Sequence, residues 1–425
     1  MLDRLPCPYG LVRFGVAPDH PLIKNVIKVF EKIASTPGFS FFGNVKIGQD
    51  ISVPELKNFY DAVIFACGAE TDRKLGIPGE DLPGSHTATE FVAWYNGHPD
   101  YKNRSFDLSH ETAVVIGQGN VSMDLGRILS KHVDELKNTD IAEHALEALS
   151  KSKIKHIYLI GRRGPMQAAF TEPEIKELGK LPHCDILVDP NDLRLNPESQ
   201  KELEAPTHAQ SKKNFVVLQE YALRPAPTKE KLLHLCFLQS PVALQGNNKL
   251  EKVILEKNEL IGEANDQKAK GTGILKTVDC GILFRSVGYR GNPISELPFD
   301  DKKGIFPNHL GRLLKDRCVI PGFYAVGWIK RGPSGVIGTN KPDAAATVEN
   351  LLMDMPTLIK PQALQPCENR DPQAIKKLFS ERHVRFVSFD EWKKIDAAEI
   401  ANGKCKGKVR EKFTSVEQML AVLKE

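Results

Sequence analysis

The residues Gly117-Gln118-Gly119-Asn120 follow the apolar run Thr112-Ala113-Val114-Val115-Ile116 directly. They precede a stretch with Leu125, Ile128 and Leu129 at helical spacing. Gly117 suits a tight turn, and Gly119 lets the backbone approach a pyrophosphate. The helix that follows would aim free N–H groups and a positive dipole end at the phosphates. The third fingerprint position is Ser122, small but not glycine. A lone G-x-G says little, whereas a strand before it and a helix after it supply the required context. The next strand ends at Ile160-Gly161-Arg162-Arg163. A site for NAD would place an acidic residue here to hold the ribose 2′-hydroxyl. Two guanidiniums instead favour a 2′-phosphate, since each presents a planar fork of donors. Taken alone, two arginines are commonly solvated surface residues. Behind a G-x-G unit they read as a clamp for NADP(H).

A second candidate lies near the other end. Gly322-Phe323-Tyr324-Ala325-Val326-Gly327 precedes Trp328 and the run Arg331-Gly332-Pro333-Ser334-Gly335-Val336-Ile337-Gly338. A strand ending in such a loop, with a helix from about Asp343, could offer backbone N–H groups to another ligand. Trp328 could stack on a flat ring. Spacing alone fits a structural turn around a core tryptophan somewhat better.

These motifs need a scaffold, and 425 residues suffice for two or three domains. Hydrophobic residues make up 41% and charged residues 26%, enough for a large core. The formal charge of +4, from 58 basic and 54 acidic residues, is too even for nucleic-acid or membrane binding by bulk electrostatics. No run of about 18 apolar residues occurs, so no transmembrane segment is expected. The eight cysteines are scattered without a C-x-x-C pair, which argues against a structural zinc site and a redox disulfide motif. Residues 21–35 carry Ile23, Val26, Ile27, Phe30 and Ile33 at helical spacing, and residues 61–70 read as a buried strand. From about 106 the pattern is strand, glycine turn, helix, strand, which is a βαβ unit. The stretch 190–235 resists assignment, whereas 236–256 and 274–288 look like strands. The tail 360–425 has helical stretches.

Four blocks in order settle the reading: PYGLVRFGVAPDHP (8–21), VIGQGNVSMD (115–124), GRRGPMQAAFT (161–171) and GWIKRGPSGVIGT (327–339). With them the chain resembles the adrenodoxin reductases, the mitochondrial NADPH–ferredoxin reductase family, over nearly its whole length. The resemblance implies an α/β fold of two Rossmann-like nucleotide-binding domains of the glutathione-reductase type. Residues 1–105 and 316–425 would build an FAD domain and residues 106–315 an inserted NADP domain. It implies FAD contacts at Asp3, Leu11, Ile47, Trp328, Gly335, Val336 and Ile337. For NADP it implies Gly117, Gln118, Gly119, Asn120, Arg162, Arg163, Glu174 and Gly335. His20 and Asp124 would give polar support to the nicotinamide–flavin contact. A capping or solvated histidine and a structural carboxylate are the plainer readings of those two.

The family opens with a strand, a G-x-G-P-A-G turn and a helix for the FAD pyrophosphate, and no such pattern precedes Asp3. Weak FAD retention is therefore expected, and a flavin-deficient NADP-binding fragment is the alternative function. The resemblance implies a 2Fe–2S ferredoxin of adrenodoxin type as electron acceptor. NADPH gives up two electrons together and such a partner takes one, a conversion that a flavin can perform and no side chain can. An acidic ferredoxin needs a basic face, with Lys212, Lys213, Lys330, Arg331 and Lys341 as candidates. The resemblance also implies the mitochondrial matrix, with possible peripheral association with the inner membrane, although no targeting peptide is evident at Met1. A disulfide-reducing flavoprotein is disfavoured, because C-x-x-C is absent.

Overall fold

The computed structural model describes residues 1–335, 337–359, 371 and 373–424. Four short helices open the chain, α1 (Gly10–Phe14), α2 (Pro21–Lys24), α3 (Ile27–Ala34) and α4 (Val53–Phe59), followed by strands β1 (Val63–Phe65) and β2 (Thr71–Asp72). Next come β3 (Ser85–Thr87), α5 (Ala88–Tyr95), β4 (Thr112–Ile116) and α6 (Asn120–Ser130). Helices α7 (Val133–Leu136) and α8 (Glu143–Ser150) lead to β5 (His156–Ile160), α9 (Glu172–Leu178) and β6 (Cys184–Val188). The unassigned stretch contains α10 (Pro197–Glu204), α11 (Ala209–Ala222) and β7 (Lys231–Cys236). Strands β8 (Gln239–Gln245), β9 (Lys252–Ile261), β10 (Lys268–Asp279), β11 (Ile282–Arg285) and β12 (Tyr289–Arg290) follow. The last strands are β13 (Asn308–His309), β14 (Arg312–Lys315) and β15 (Cys318–Ala325). Helices α12 (Trp328–Arg331), α13 (Ile337–Leu358), α14 (Ala374–Glu381), α15 (Phe389–Cys405) and α16 (Val416–Ala421) complete the chain.

The larger sheet has the order β3-β11-β4-β5-β7-β6 and is parallel throughout. A parallel sheet needs cover on both faces. One face packs into a core with Phe91, Met123, Leu125, Ile128, Ile175 and Leu218, contributed by α5, α6, α9 and α11. The other meets the antiparallel sheet β8-β9-β10 through Leu244, Val253, Leu255 and Val278. The near-continuous apolar strands, such as Thr112–Ile116, follow from this double burial.

The smaller sheet has the order β1-β15-β14-β13. Strand β1 pairs with β15 in parallel, and among the described residues no strand lies on its outer side. Ile64 in its middle is 40% exposed.

Sheet membership moves the domain boundaries away from 106 and 315. Strand β3 is hydrogen-bonded to β11, and α5 sits in the core of the larger unit, so that unit starts near Ser85. Strands β13 and β14 belong to the smaller sheet, and Leu297, Phe306 and Leu313 pack in its core. The larger unit therefore ends soon after β11. Two other expectations need correction. Residues 21–35 form two short helices separated at Asn25 and Val26, neither with a buried side chain. The run 61–70 yields only three strand residues, Val63–Phe65, of which only Phe65 is buried.

Candidate functional site

Gly117 adopts φ 132° between two crossing chains. A Cβ there would lie 2.1 Å from the Ser286 carbonyl oxygen. The Gly117 N–H donates to Ile160 O at 2.8 Å, and Ser286 N–H donates to Ile116 O at 2.7 Å. Strand ends on both sides thus fix the turn. Gly119 caps α6, and a Cβ on it would meet nothing within 4 Å. Its backbone is the open approach that a pyrophosphate needs.

The side chains of the turn have other duties. The Gln118 amide is buried and donates to Cys236 O at 2.8 Å and Leu159 O at 3.3 Å. It ties the turn to β5 and β7, so only its backbone could face a ligand. Asn120 Oδ1 accepts from Thr171 N–H at 2.9 Å and so docks the N-terminus of α9. Arg162 and Arg163 are exposed beyond β5, and their carbonyls accept from the Asn258 side-chain amide (to Arg162 O) and from Leu238 N–H (to Arg163 O). Among the described residues neither guanidinium forms an ion pair within 4 Å. Partial burial, then the charge of Arg162, holds the Arg163 guanidinium below its ordinary range. Two adjacent exposed cations, with Glu202 the only acid acting on Arg163 and not in ion-pair contact among the described residues, favour an incoming anion.

A charged cluster that the motifs did not reveal lies between the two units. Arg127 on α6 is only 2% exposed. Its Nε lies 2.7 Å from Asp19, one terminal nitrogen 2.5 Å from Asp124, and the other 3.3 Å from Glu174. Lys131 adds a 2.7 Å contact to Asp19. His20 stands at the N-cap of α2 without capping through its side chain. Its Nε2 is 2.7 Å from Glu177, and its Nδ1 is 3.9 Å from Asp124. The capping and solvated readings of His20 therefore fail, and the fold brings His20, Asp124 and Glu174 together. A cleft of about 220 Å³ adjoins the cluster and is lined in part by Asp19, His20, Arg127 and Glu177. Burial raises the Asp124 carboxyl above its ordinary range despite Arg127. Burial followed by the Asp124 charge raises Glu174. Burial acts on Asp19 too, but the bonds and charges of Arg127 and Lys131 outweigh it and hold that carboxyl low. Only the sequence spacing Asp124, Arg127 and Lys131, charges on one helix face, could have signalled this cluster.

The glycine loop after β15 reaches the same region through aromatic rings. Trp328 stacks on Tyr289 with centroids 5.4 Å apart at 19°. Burial, then the charges of Asp72 and Asp124, raises the Tyr289 phenol. The Trp328 indole N–H is buried without a partner among the described residues. An orphaned donor, an aromatic face and left-handed glycines at Gly327, Gly332 and Gly335 fit a flat, hydrogen-bonding ring ligand such as a flavin. Ile47 packs near Ile329 in one apolar cluster and beside Leu2 in another. Asp3 lies next to Leu2, and its N–H donates to Phe42 O. Burial pushes the Asp3 carboxyl up to about 6. Leu11 is largely exposed on α1. Gly335 packs against Thr339. Val336 and the side chain of Ile337 lie outside the described residues. Of the proposed docking cations, Lys330 is engaged with Asp343 at 2.9 Å, and Arg331 donates to Ser334 and Asn340. These two are less available than the sequence suggested; Lys212, Lys213 and Lys341 are exposed, although Lys213 approaches Glu172 at 3.5 Å.

No protein-family model matches the chain. It is 44% identical over 423 residues to the NADPH-ferredoxin reductase FprA of Mycobacterium tuberculosis, covering 99% of this chain and 91% of that protein. It is 40% identical over 432 residues to the mitochondrial NADPH:adrenodoxin oxidoreductase of Homo sapiens, covering 99% and 86%. The solved structure of M. tuberculosis FprA in complex with NADPH superposes with a TM-score of 0.94 at 44% identity, covering 99% of this chain and 91% of that one. Among the described residues no helix is long and apolar enough to cross a membrane.

Proposed function

The chain belongs to the family of NADPH–ferredoxin and NADPH:adrenodoxin reductases, and on that premise we propose that it passes electrons from NADPH through FAD to a 2Fe–2S ferredoxin. The observation that carries the NADPH half is the exposed pair Arg162 and Arg163 beside the Gly117 turn. The backbone at Gly119 and the N-terminus of α6 receive the pyrophosphate, and the two guanidiniums take the 2′-phosphate. Asn120 acts indirectly by docking α9, which carries Glu174. FAD, when bound, supplies the exchange between two-electron and one-electron chemistry. Trp328, Ile47, Asp3 and the loop through Gly335 would hold it. His20 and Asp124 set the polarity where the two units meet, and Tyr289 with Trp328 keeps that region dry.

The test is coenzyme preference. Arg163→Ala should weaken NADPH by about tenfold to a hundredfold, the value of one charge-assisted contact, and leave NADH nearly unchanged. Equal loss for both coenzymes would sink the 2′-phosphate assignment. Ferredoxin reduction should slow steeply as salt rises, because Lys212, Lys213 and Lys341 can steer an acidic partner only over a Debye length. A rate independent of salt would reject that face. A mitochondrial matrix location rests on the mitochondrial relatives, while the mycobacterial relatives are at least as similar. Cell fractionation distinguishes the two settings.

A further inference from the structure

We propose that His20, Asp124 and Glu174 form a binding site for a borderline divalent cation of the Zn²⁺ or Co²⁺ type. One ligand atom from each side chain lies within 4.8 Å of the other two. An imidazole with two carboxylates suits a first-row transition ion better than Ca²⁺ or Mg²⁺, which prefer all-oxygen shells. Bonds of about 2.0–2.2 Å would require these atoms to draw inward by small side-chain rotations. The three residues come from separate places, His20 from the N-cap of α2, Asp124 from α6 and Glu174 from α9.

The charge balance supports a cation. Among the described residues, the ion pairs of Asp19, Asp124, Glu174 and Glu177 within 4 Å are to Arg127, Lys131 and His20, so four carboxylates share two fixed cations when His20 is neutral. A divalent ion would close the difference. A second observation is independent of the acids. Tyr95 on α5 is fully buried, and its hydroxyl has no partner among the described residues. Burial and then the charge of Asp124 raise that phenol, which puts it in the field of the same cluster. Arg127 bonds to Asp124 and Glu174 and would become an outer partner that orients them around the ion. The adjoining cleft, lined by His20, gives an entry path. A bound ion would tie the segment before α2 to α6 and α9. It would also engage the imidazole that, on the proposed function, sets the polarity where the two units meet, and so would inhibit turnover.

The binding claim is tested on the nucleotide-free chain and does not depend on turnover. Titration calorimetry with ZnCl₂ should give one equivalent of saturable binding. His20→Ala and Glu174→Gln should each weaken it by about tenfold or more, with folding checked by circular dichroism. His20→Asn serves as a second replacement if the alanine variant does not fold. Substitution with Co²⁺ should give visible ligand-field bands without thiolate charge transfer, which excludes the exposed Cys67, Cys318 and Cys405 as the ligands. Absence of saturable binding, equal affinity in the folded variants, or a thiolate band would each overturn the assignment. A chain that binds zinc normally but fails to discriminate NADPH from NADH would refute the coenzyme assignment and leave the metal site standing.

Discussion

Two strands in this molecule run into glycine turns, and their surroundings differ. Strand β4 lies between β11 and β5 in a six-stranded sheet, and Gly117 is wedged against Ser286 from one neighbour and Ile160 from the other. Strand β15 ends in a looser run. Gly327 N–H donates to Asp343, Gly332 has nothing near a would-be Cβ, and β1 beside it has no partner on its outer side among the described residues. Backbone that must present amides to phosphate is oriented in the first case by strands on both flanks. In the second it is oriented by side chains, chiefly Asp343, which also holds Lys330. The first unit is a preformed cradle. The second depends on contacts made by single residues.

The sharpest way to break that contrast is to remove the cation at the border between the units. Arg127→Ala would leave Asp19, Asp124 and Glu174 without their shared partner in a buried setting. Loss of one side of a buried ion network costs about 3–5 kcal/mol. Urea unfolding at neutral pH should report a loss of that order, and a change under about 1 kcal/mol would show that the network is solvated. The two glycines of the β4 turn should then separate stability from binding. Gly117→Ala places a methyl against Ser286 O and should destabilise by about 1–3 kcal/mol. Gly119→Ala meets no atom and has an ordinary backbone conformation, φ −105°. It should leave the unfolding midpoint nearly unchanged, while NADPH binds about tenfold more weakly because the backbone can no longer approach the pyrophosphate. If Gly119→Ala binds normally, the pyrophosphate does not lie on this turn.

How much of this was legible in the sequence follows the same divide. The β4 turn was readable because its strand, glycines and helix are contiguous, and because the parallel sheet demands long apolar strands. The arginine pair was readable because it ends the next strand. The domain boundaries were not, since β3 joins the sheet through β11, which lies far along the chain. The stretch holding α10, α11 and β7 was opaque because its helices alternate exposed polar residues with few core anchors, among them Phe215, Val217 and Leu218. The break at Asn25 and Val26 was hidden because the apolar spacing continues through it. Arg127 was missed for a related reason. It shares a helix face with Asp124 and, beside it, the apolar Ile128, and its burial depends on acids from other segments.

The smallest effect probes the second unit. Asp3 has Arg4 beside it, but that guanidinium pairs with Asp100 at 2.8 Å and approaches Glu70 at 3.6 Å. Burial therefore dominates and pushes the Asp3 carboxyl up to about 6. The ordinary value in an unfolded chain is about 3.9. Between those values the folded protein keeps a proton that the unfolded chain has lost. Stability must then fall as pH rises through about 4 to 6. A carboxyl displaced that far loses at most about 2.9 kcal/mol by neutral pH, and incomplete burial of the residue lowers the expectation to about 1–2 kcal/mol. Asp3→Asn keeps the oxygen that accepts from Leu5 N–H and removes the charge. Its urea midpoint should exceed that of the parent chain at pH 7.5 and converge with it at pH 4. A parent chain whose midpoint differs from the variant by the same amount at both pH values would mean that Asp3 is neutralised in place, and that the second unit is as well compensated as the first.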